Sequence, residues 1–423
     1  MELSNHHIEA ILFGIAVGDA LGVPVEFKSR EFLKENHLSE MHGFGTHHQP
    51  KGTWSDDSSL TFCLADSLLD VTFSTRKLAD RFINWLDSGY WTPHGHVFDI
   101  GNTTRSAIEA LRTAANPEDA GGSSELDNGN GSLMRILPLV ISTMHLPLVK
   151  LYEDVKKVSS LTHAHIRSIN CCFYYIVFAR QLIYGHPGRK AYQLANHLFS
   201  HTLQSQNVSQ SEMRHLSRIL GGAIFTLEQH EIRGSGYVVH SLEASLWCLL
   251  TSNSYEEAVL KAINLGEDTD TTGAITGGIA ALYFGFESIP TRWINVLARK
   301  KDIEVLSNNL CSKYIHPIRL TDIPSPDDMP GALEFSHKYF GYLSTIEETS
   351  EVSQEVQRRI EINDTYNLKM VDLGTCLFFY FRMIRHVGDD PDKEWVNTLL
   401  GLMKRHIYLL EHANDLISQS SSK

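Results

Sequence analysis

The chain has 423 residues, with Lys plus Arg 37 against Asp plus Glu 50, a formal net charge of −13. That acidic balance excludes general binding to nucleic acid or anionic membranes, which needs a basic surface. A composition of 42% hydrophobic and 21% charged residues excludes wholesale disorder.

The six cysteines form no C-x-x-C pair and read as reduced thiols of a cytoplasmic protein. The start, Met1-Glu2-Leu3-Ser4, lacks the basic and apolar regions of a signal peptide. The longest uncharged apolar stretches, near Cys171–Ala179 and Thr271–Phe286, fall short of the roughly 20 residues of a membrane span.

In chain order, Ile8–Gly18 places Ile8, Ile11, Leu12 and Ile15 on one helical face. A Gly-rich turn follows over Gly18–Glu26. There Asp19 braces the turn, and Glu26, extended after Pro24, either faces a metal-bound water or is an ordinary surface glutamate. Helical periodicity returns at Ser58–Leu69, Arg76–Ser88, Thr103–Ala115, Leu151–Ser159, Ser168–Ile183, Arg189–Ser200, Glu212–Gln229, Ser241–Thr251 and Tyr255–Leu265. Alternating strand patterns are scarce, so an all-α protein is expected. The Pro- and Asp-rich stretch at Asp322–Pro330 marks a boundary, giving a domain over 1–320 and a helical extension over 321–423 that includes Trp395–Ile417.

Two segments stand out, Gly52-Thr53-Trp54-Ser55-Asp56-Asp57-Ser58 and Gly266-Glu267-Asp268-Thr269-Asp270-Thr271. Each sets carboxylates and hydroxyls immediately before an apolar helix. Hard divalent cations want several oxygen ligands of that kind. Helix N-capping is the competing explanation, but a cap needs one such residue rather than four. The helix after the second segment is rich in glycine, at about 1 kcal/mol each relative to alanine, which suits tight packing at Gly277 and Gly278.

Three loops suggest a ligand with phosphates and a base. Gly129-Asn130-Gly131-Ser132-Leu133-Met134-Arg135 offers backbone N–H groups ahead of a helix, an anion cradle or a plain Asn-Gly turn. Thr162-His163-Ala164-His165 has a spacing for phosphate or metal contact, or is an incidental pair among 22 histidines. Gly234-Ser235-Gly236-Tyr237 either lets the backbone approach a planar base stacked on Tyr237 or is a simple loop.

In order, Gly18–Glu26, Gly52–Ser58, Asp99-Ile100-Gly101-Asn102-Thr103-Thr104, Gly129–Pro138, Thr162–His165, Gly234–Val239 and Gly266–Gly285 resemble the ADP-ribosylglycohydrolase family. The resemblance spans about residues 8–300 and leaves Lys28–Lys51 and the chain after about Pro317 unexplained. It implies an all-α orthogonal helical bundle with two Mg²⁺ or Mn²⁺ in an acidic cleft. The metals would be held by Ser55, Asp56, Asp57, Asp268, Asp270 and Thr271. Glu26, Asp57 and Asp99 would be catalytic, with Glu26 on the attacking water and Asp99 as a further acid/base or positioning group. Gly129, Asn130, Gly131, Ser132, Met134, Gly234, Ser235, Gly236 and Tyr237 would contact diphosphate and adenosine, with His163 or His165 near the phosphates. Ser55 stands where the family usually has Thr, which keeps the hydroxyl and loosens the rotamer. Glu267 and Thr272 also depart from the commoner small residue and Asn.

The implied activity is metal-dependent removal of ADP-ribose from a modified protein side chain, with arginine the expected linkage. Serine or another O-linked ADP-ribose is the alternative, as is a capture role toward an ADP-ribosyltransferase. The expected partner is thus an ADP-ribosylated protein, with no nucleic acid and no membrane.

Overall fold

The computed structural model describes residues 3–70, 72–206 and 208–315, with Leu400, Gly401 and Lys404. The chain divides into two compact units, Met1–Leu68 with Phe73–Cys311, and Leu69–Thr72 with Ser312–Lys423. The first unit carries every residue discussed below. The expected boundary at Asp322–Pro330 lies outside the described residues, as does Trp395–Ile417 apart from the three residues just named.

The helices begin with α1 (Asn5–Gly22), α2 (Arg30–Glu35), α3 (Asp56–Ser67), α4 (Thr75–Ser88), α5 (Asn102–Leu111), α6 (Leu139–Thr143), α7 (Leu148–Ser160) and α8 (Ile166–Ile183). They continue as α9 (Gly188–Ser205), α10 (Gln210–His215), α11 (Ser217–Leu220), α12 (Val238–Leu250), α13 (Tyr255–Ile263), α14 (Thr269–Phe284), α15 (Thr291–Ile294) and α16 (Lys300–Tyr314). Among the described residues there is no strand, only isolated bridges between Gly122 and His163 and between Gly129 and Tyr237. The all-α expectation therefore holds.

Local expectations differ at three places. The single helix expected over Glu212–Gln229 is broken into α10, α11 and short 3₁₀ turns, because Gly221-Gly222 intervenes and Gly222 takes φ +79°. The first helix runs past Gly18 to Gly22 rather than ending in a turn. No helix follows Gly129–Arg135 directly; a series of turns leads to α6 at Leu139.

The reason α1 continues is its partner. From Ala10 to Gly22 it is buried on every face, as is α14 from Thr269 to Leu282. Helices apolar all round belong in a core, and here small residues let their backbones touch. A Cβ on Gly14 would lie 2.5 Å from the Gly277 carbonyl oxygen, and Gly18 meets Gly273 as closely. Gly22 abuts the backbone of Asp270 itself. Side chains then bond to the carbonyls of these helices. Tyr255 donates to Gly14 O at 2.9 Å, Thr269 Oγ1 to Gly22 O at 2.8 Å and Tyr175 to Ile275 O at 2.7 Å.

One stretch, Asn5–Val25, is long and apolar enough to cross a membrane by length and composition, and 94% of its apolar window is buried inside the protein. Glu9 and Asp19 interrupt the stretch, so it is not an uncharged run.

The α1–α14 contact leaves no room for a methyl group. Gly18→Ala is expected to destabilise the protein by about 1–3 kcal/mol, read as a lower denaturant midpoint with an unchanged slope.

Candidate active site

The N-termini of α3 and α14 meet beside the last turn of α1. Asp19, on α1, accepts Ser55 N at 2.9 and 3.1 Å, Ser58 N at 3.0 Å and Ser58 Oγ at 2.6 Å. One carboxylate thus satisfies donors that α3 would otherwise leave unpaired, in line with its expected bracing role. Ser55 Oγ donates to Asp57 Oδ2 at 2.9 Å and accepts Asp57 N at 3.2 Å. From α14, Thr271 Oγ1 donates to the same Asp57 Oδ2 at 3.3 Å. The two sequence-distant acidic segments are therefore in direct contact.

What they leave unsatisfied is as informative. Asp57 Oδ1 and Asp270 Oδ2 are buried with no hydrogen-bond partner. Ligand oxygens of Asp19, Asp57 and Asp270 lie within 4.8 Å of one another, and Asp270 also belongs to a second such group with Glu26, His47 and Asp99. Burial holds Asp56, Asp57 and Asp270 well above the usual carboxylate range, and the neighbouring carboxylates add to it. Burial likewise raises Asp99 and Asp268, and pushes Asp19 and Glu26 up to about 7. Carboxylates so packed cannot all ionise together unless positive charge joins them. The orphaned oxygens of Asp57 and Asp270 fit divalent cations, which favour oxygen donors.

Above this floor opens a cleft of about 780 Å³. Glu26, Asp56, Asp99, Asp268 and Thr271 line it, with Gly129, Asn130, Gly131, Met134, His163, Ser235 and Gly236. Asn130 Nδ2 donates to Asp268 Oδ2 at 2.7 Å and to Ser241 Oγ at 2.8 Å, tying the expected cradle to the acidic floor. Buried Arg135 donates to Gly131 O and to Val158 O, which fixes the turn. Burial and Arg135 push His163 down to about 3, so this ring is neutral beside Gly131.

Other expected contacts do not face the cleft. Ser132 is buried against Ser159 Oγ at 3.0 Å and Cys172. His165 caps α8, its Nδ1 accepting Arg167 N at 3.2 Å, and sits by the Glu125–Arg167–Glu212 ion pairs. Gly234 packs on the Gly266 carbonyl, and Tyr237 lines a different cavity. Ser132, His165 and Gly234 are consumed by packing and capping, which a motif does not reveal.

The structure adds residues that sequence reading did not single out. His47 Nε2 pairs with Glu26 Oε2, and the ring lies 5.3 Å from Phe98 and 5.9 Å from Phe27. The bond to Glu26 raises the His47 pKa. His47 lies in the segment the family resemblance left unexplained, so nothing flagged it. Asn102, Thr103 and Thr104, which entered the sequence reading only as part of the motif that begins at Asp99 and with no role given, also line the cleft. Phe27, Asp99 and Glu267, all lining the cleft, have φ of +63°, +47° and +65°, a conformation that costs non-glycine residues energy. Reciprocal bonds hold two of them there: Phe27 N to Glu267 O and Glu267 N to Lys28 O, each 2.7 Å.

A metal-free sample should lose stability as pH rises from about 4 to 7. Unfolded carboxyls ionise near 4, whereas folded Asp19 and Glu26 resist ionisation until about 7, so the folded state binds more protons across that window. Thermal melts with EDTA should show this decline, and a divalent cation should flatten it. Asp57→Asn and Asp270→Asn should each weaken cation binding measured by calorimetry.

An ADP-ribosylglycohydrolase family model matches residues 3–318. ADP-ribosylarginine hydrolase Tri1 of Pseudomonas putida is 33% identical over 305 residues, 71% of this chain and 76% of that protein. The ADP-ribosyl-[dinitrogen reductase] glycohydrolase of Rhodospirillum rubrum is 28% identical over 295 residues, 69% of this chain and 90% of that one. A solved structure, described as an ADP-ribosylglycohydrolase-related protein complex, superposes with a TM-score of 0.61 at 29% identity, over 72% of this chain and 97% of the other.

Proposed function

The chain belongs to the ADP-ribosylglycohydrolase family, and on that premise we propose that it hydrolyses the bond between ADP-ribose and an arginine side chain of a modified protein. The observation that carries this reading is the pair of buried, unpartnered oxygens on Asp57 and Asp270 beneath a cleft of about 780 Å³. The arginine linkage is supported by similarity to proteins named ADP-ribosylarginine hydrolase, at 33% identity in two organisms. The five described cysteines are buried free thiols, which supports a reducing, cytoplasmic setting.

Two Mg²⁺ or Mn²⁺ would be held by Asp56, Asp57, Asp268 and Asp270, with Ser55 and Thr271 adding hydroxyls. Such cations, when bound, polarise sugar hydroxyls and water and offset the substrate's negative charge. The protein's own groups supply the proton transfers. Glu26, raised to about 7 by burial, suits a base that takes a proton from water near neutral pH. As water adds at the anomeric carbon and the carbon–nitrogen bond breaks, the departing guanidine needs a proton. Asp99, raised by burial and facing the same cleft, is placed to give it. Gly129, Gly131 and Gly236 keep the walls free of side chains, so an anionic ligand can approach the backbone.

Purified protein should release free ADP-ribose from an arginine-modified protein in Mg²⁺ or Mn²⁺ and not in EDTA; release from a serine-modified protein alone would refute the linkage. Glu26→Gln should lower kcat by about 10²–10⁴-fold while cation binding persists.

A further inference from the structure

A second cavity, of about 370 Å³, lies on the other side of the Ser235–His240 segment that helps wall the cleft. Arg214 and Arg218 reach it from α10 and α11, Arg233 from the stretch before α12, and Tyr237, His240 and Glu243 from the start of α12 and its first turns. In a chain of net charge −13, three arginines converging on one concavity is unusual, and their pairing shows what is left over. Glu243, only 3% exposed, holds Arg218 Nε at 2.7 Å, and Arg218 Nη2 also donates to the Glu231 carbonyl at 3.0 Å. One guanidinium is thereby fixed in the lining. The Glu231 carboxylate, also in the lining, accepts Glu228 N at 2.8 Å in a local cap and keeps its charge, so Arg214, Arg218 and Arg233 outnumber the two carboxylates Glu231 and Glu243 by one. That leaves Arg214 and Arg233, which are exposed and make no salt bridge among the described residues, with Arg233 close enough to Glu243 to act on its charge.

The rest of the lining suits a ligand with an anionic end and a less polar body. Tyr237 and Val239 offer apolar surface. His240 packs edge-on against the Tyr237 ring at 4.9 Å and engages Ser235 Oγ through Nδ1 at 2.7 Å. Guanidinium groups bind oxyanions through paired N–H donors, and a partly enclosed site strengthens such contacts.

The cavity is also wired to the cleft. Asn130 N donates to Gly236 O at 3.1 Å, Val238 N to Asn128 O at 3.0 Å and Asp268 N to Gly234 O at 2.9 Å. The segment touching the second cavity is thus hydrogen-bonded to the turn and to the acidic loop that build the cleft.

We propose that this cavity is a second, oxyanion-binding site, taking a phosphate monoester or a side-chain carboxylate. The claim concerns binding alone and stands whether or not ADP-ribosylarginine is the substrate.

The test uses the full chain stripped with EDTA, so that the cleft holds no cation to attract phosphate. Inorganic phosphate and, separately, hexaglutamate are titrated by calorimetry into wild type, the Arg214→Ser/Arg233→Ser double variant and Asp57→Asn. Wild type and Asp57→Asn should bind at least one probe saturably, with affinity falling as salt rises. The double variant should bind about tenfold more weakly or worse, and the probe that binds tells phosphate from carboxylate. Both arginines are exposed, so the variant should melt with wild type; Arg233→Lys, which keeps charge but loses the fork, should bind with intermediate affinity and guards against a folding artefact. Equal binding by the double variant, or saturable binding of neither probe to wild type, overturns the proposal.

Discussion

Backbone against backbone, α1 and α14 decide where the carboxylates of the centre can stand. The contacts of Gly14 with Gly277 and Gly18 with Gly273 draw the two helices together, and Gly22 then touches Asp270 itself. With a side chain at any of these glycines the helices would stand further apart. Asp19 on α1 and Asp270 on α14 then could not share the volume that also holds Asp57. The glycines cost helix stability, and burial of two helices on all faces offsets it.

Confinement is what gives these carboxyls their chemistry. In water they would be ordinary acids ionised near pH 4. Packed together with little solvent, they repel one another and resist ionisation, Glu26 and Asp19 up to about 7. The same confinement suits these carboxylates to share divalent cations, whose positive charge relieves their mutual repulsion. Hydrogen bonds set which oxygens are committed to the protein scaffold. Asp19 is occupied by α3, and Asp268 by Asn130, whereas Asp57 and Asp270 each keep a free oxygen.

The walls follow a different logic from the floor. They are built from loops held by backbone bonds between segments, such as Phe27 N to Glu267 O and Asn130 N to Gly236 O. Left-handed backbone at Phe27, Asp99 and Glu267 is concentrated where those loops face the cleft. Ser235 and Gly236 line this wall, and Tyr237, Val239 and His240, next along the same segment, line the arginine-bearing cavity.

Much was legible without coordinates. Apolar periodicity gave the helical class, and carboxylates beside hydroxyls ahead of two apolar helices marked the floor, because local residue types dictate both helix caps and hard-cation chemistry. Sequence alone also placed Glu26, Asp99, Asn130 and His163 among the candidates, and all of them line the cleft. Tertiary structure decided the rest. His47 reaches Glu26 only because its loop folds back onto Pro24–Glu26, while Ser132 and His165 are claimed by neighbouring helices and ion pairs and Tyr237 lines the second cavity. The direction a side chain points depends on the surface it packs against, and that surface comes from segments distant in the chain; a motif specifies which atoms are available, while the fold specifies what they meet.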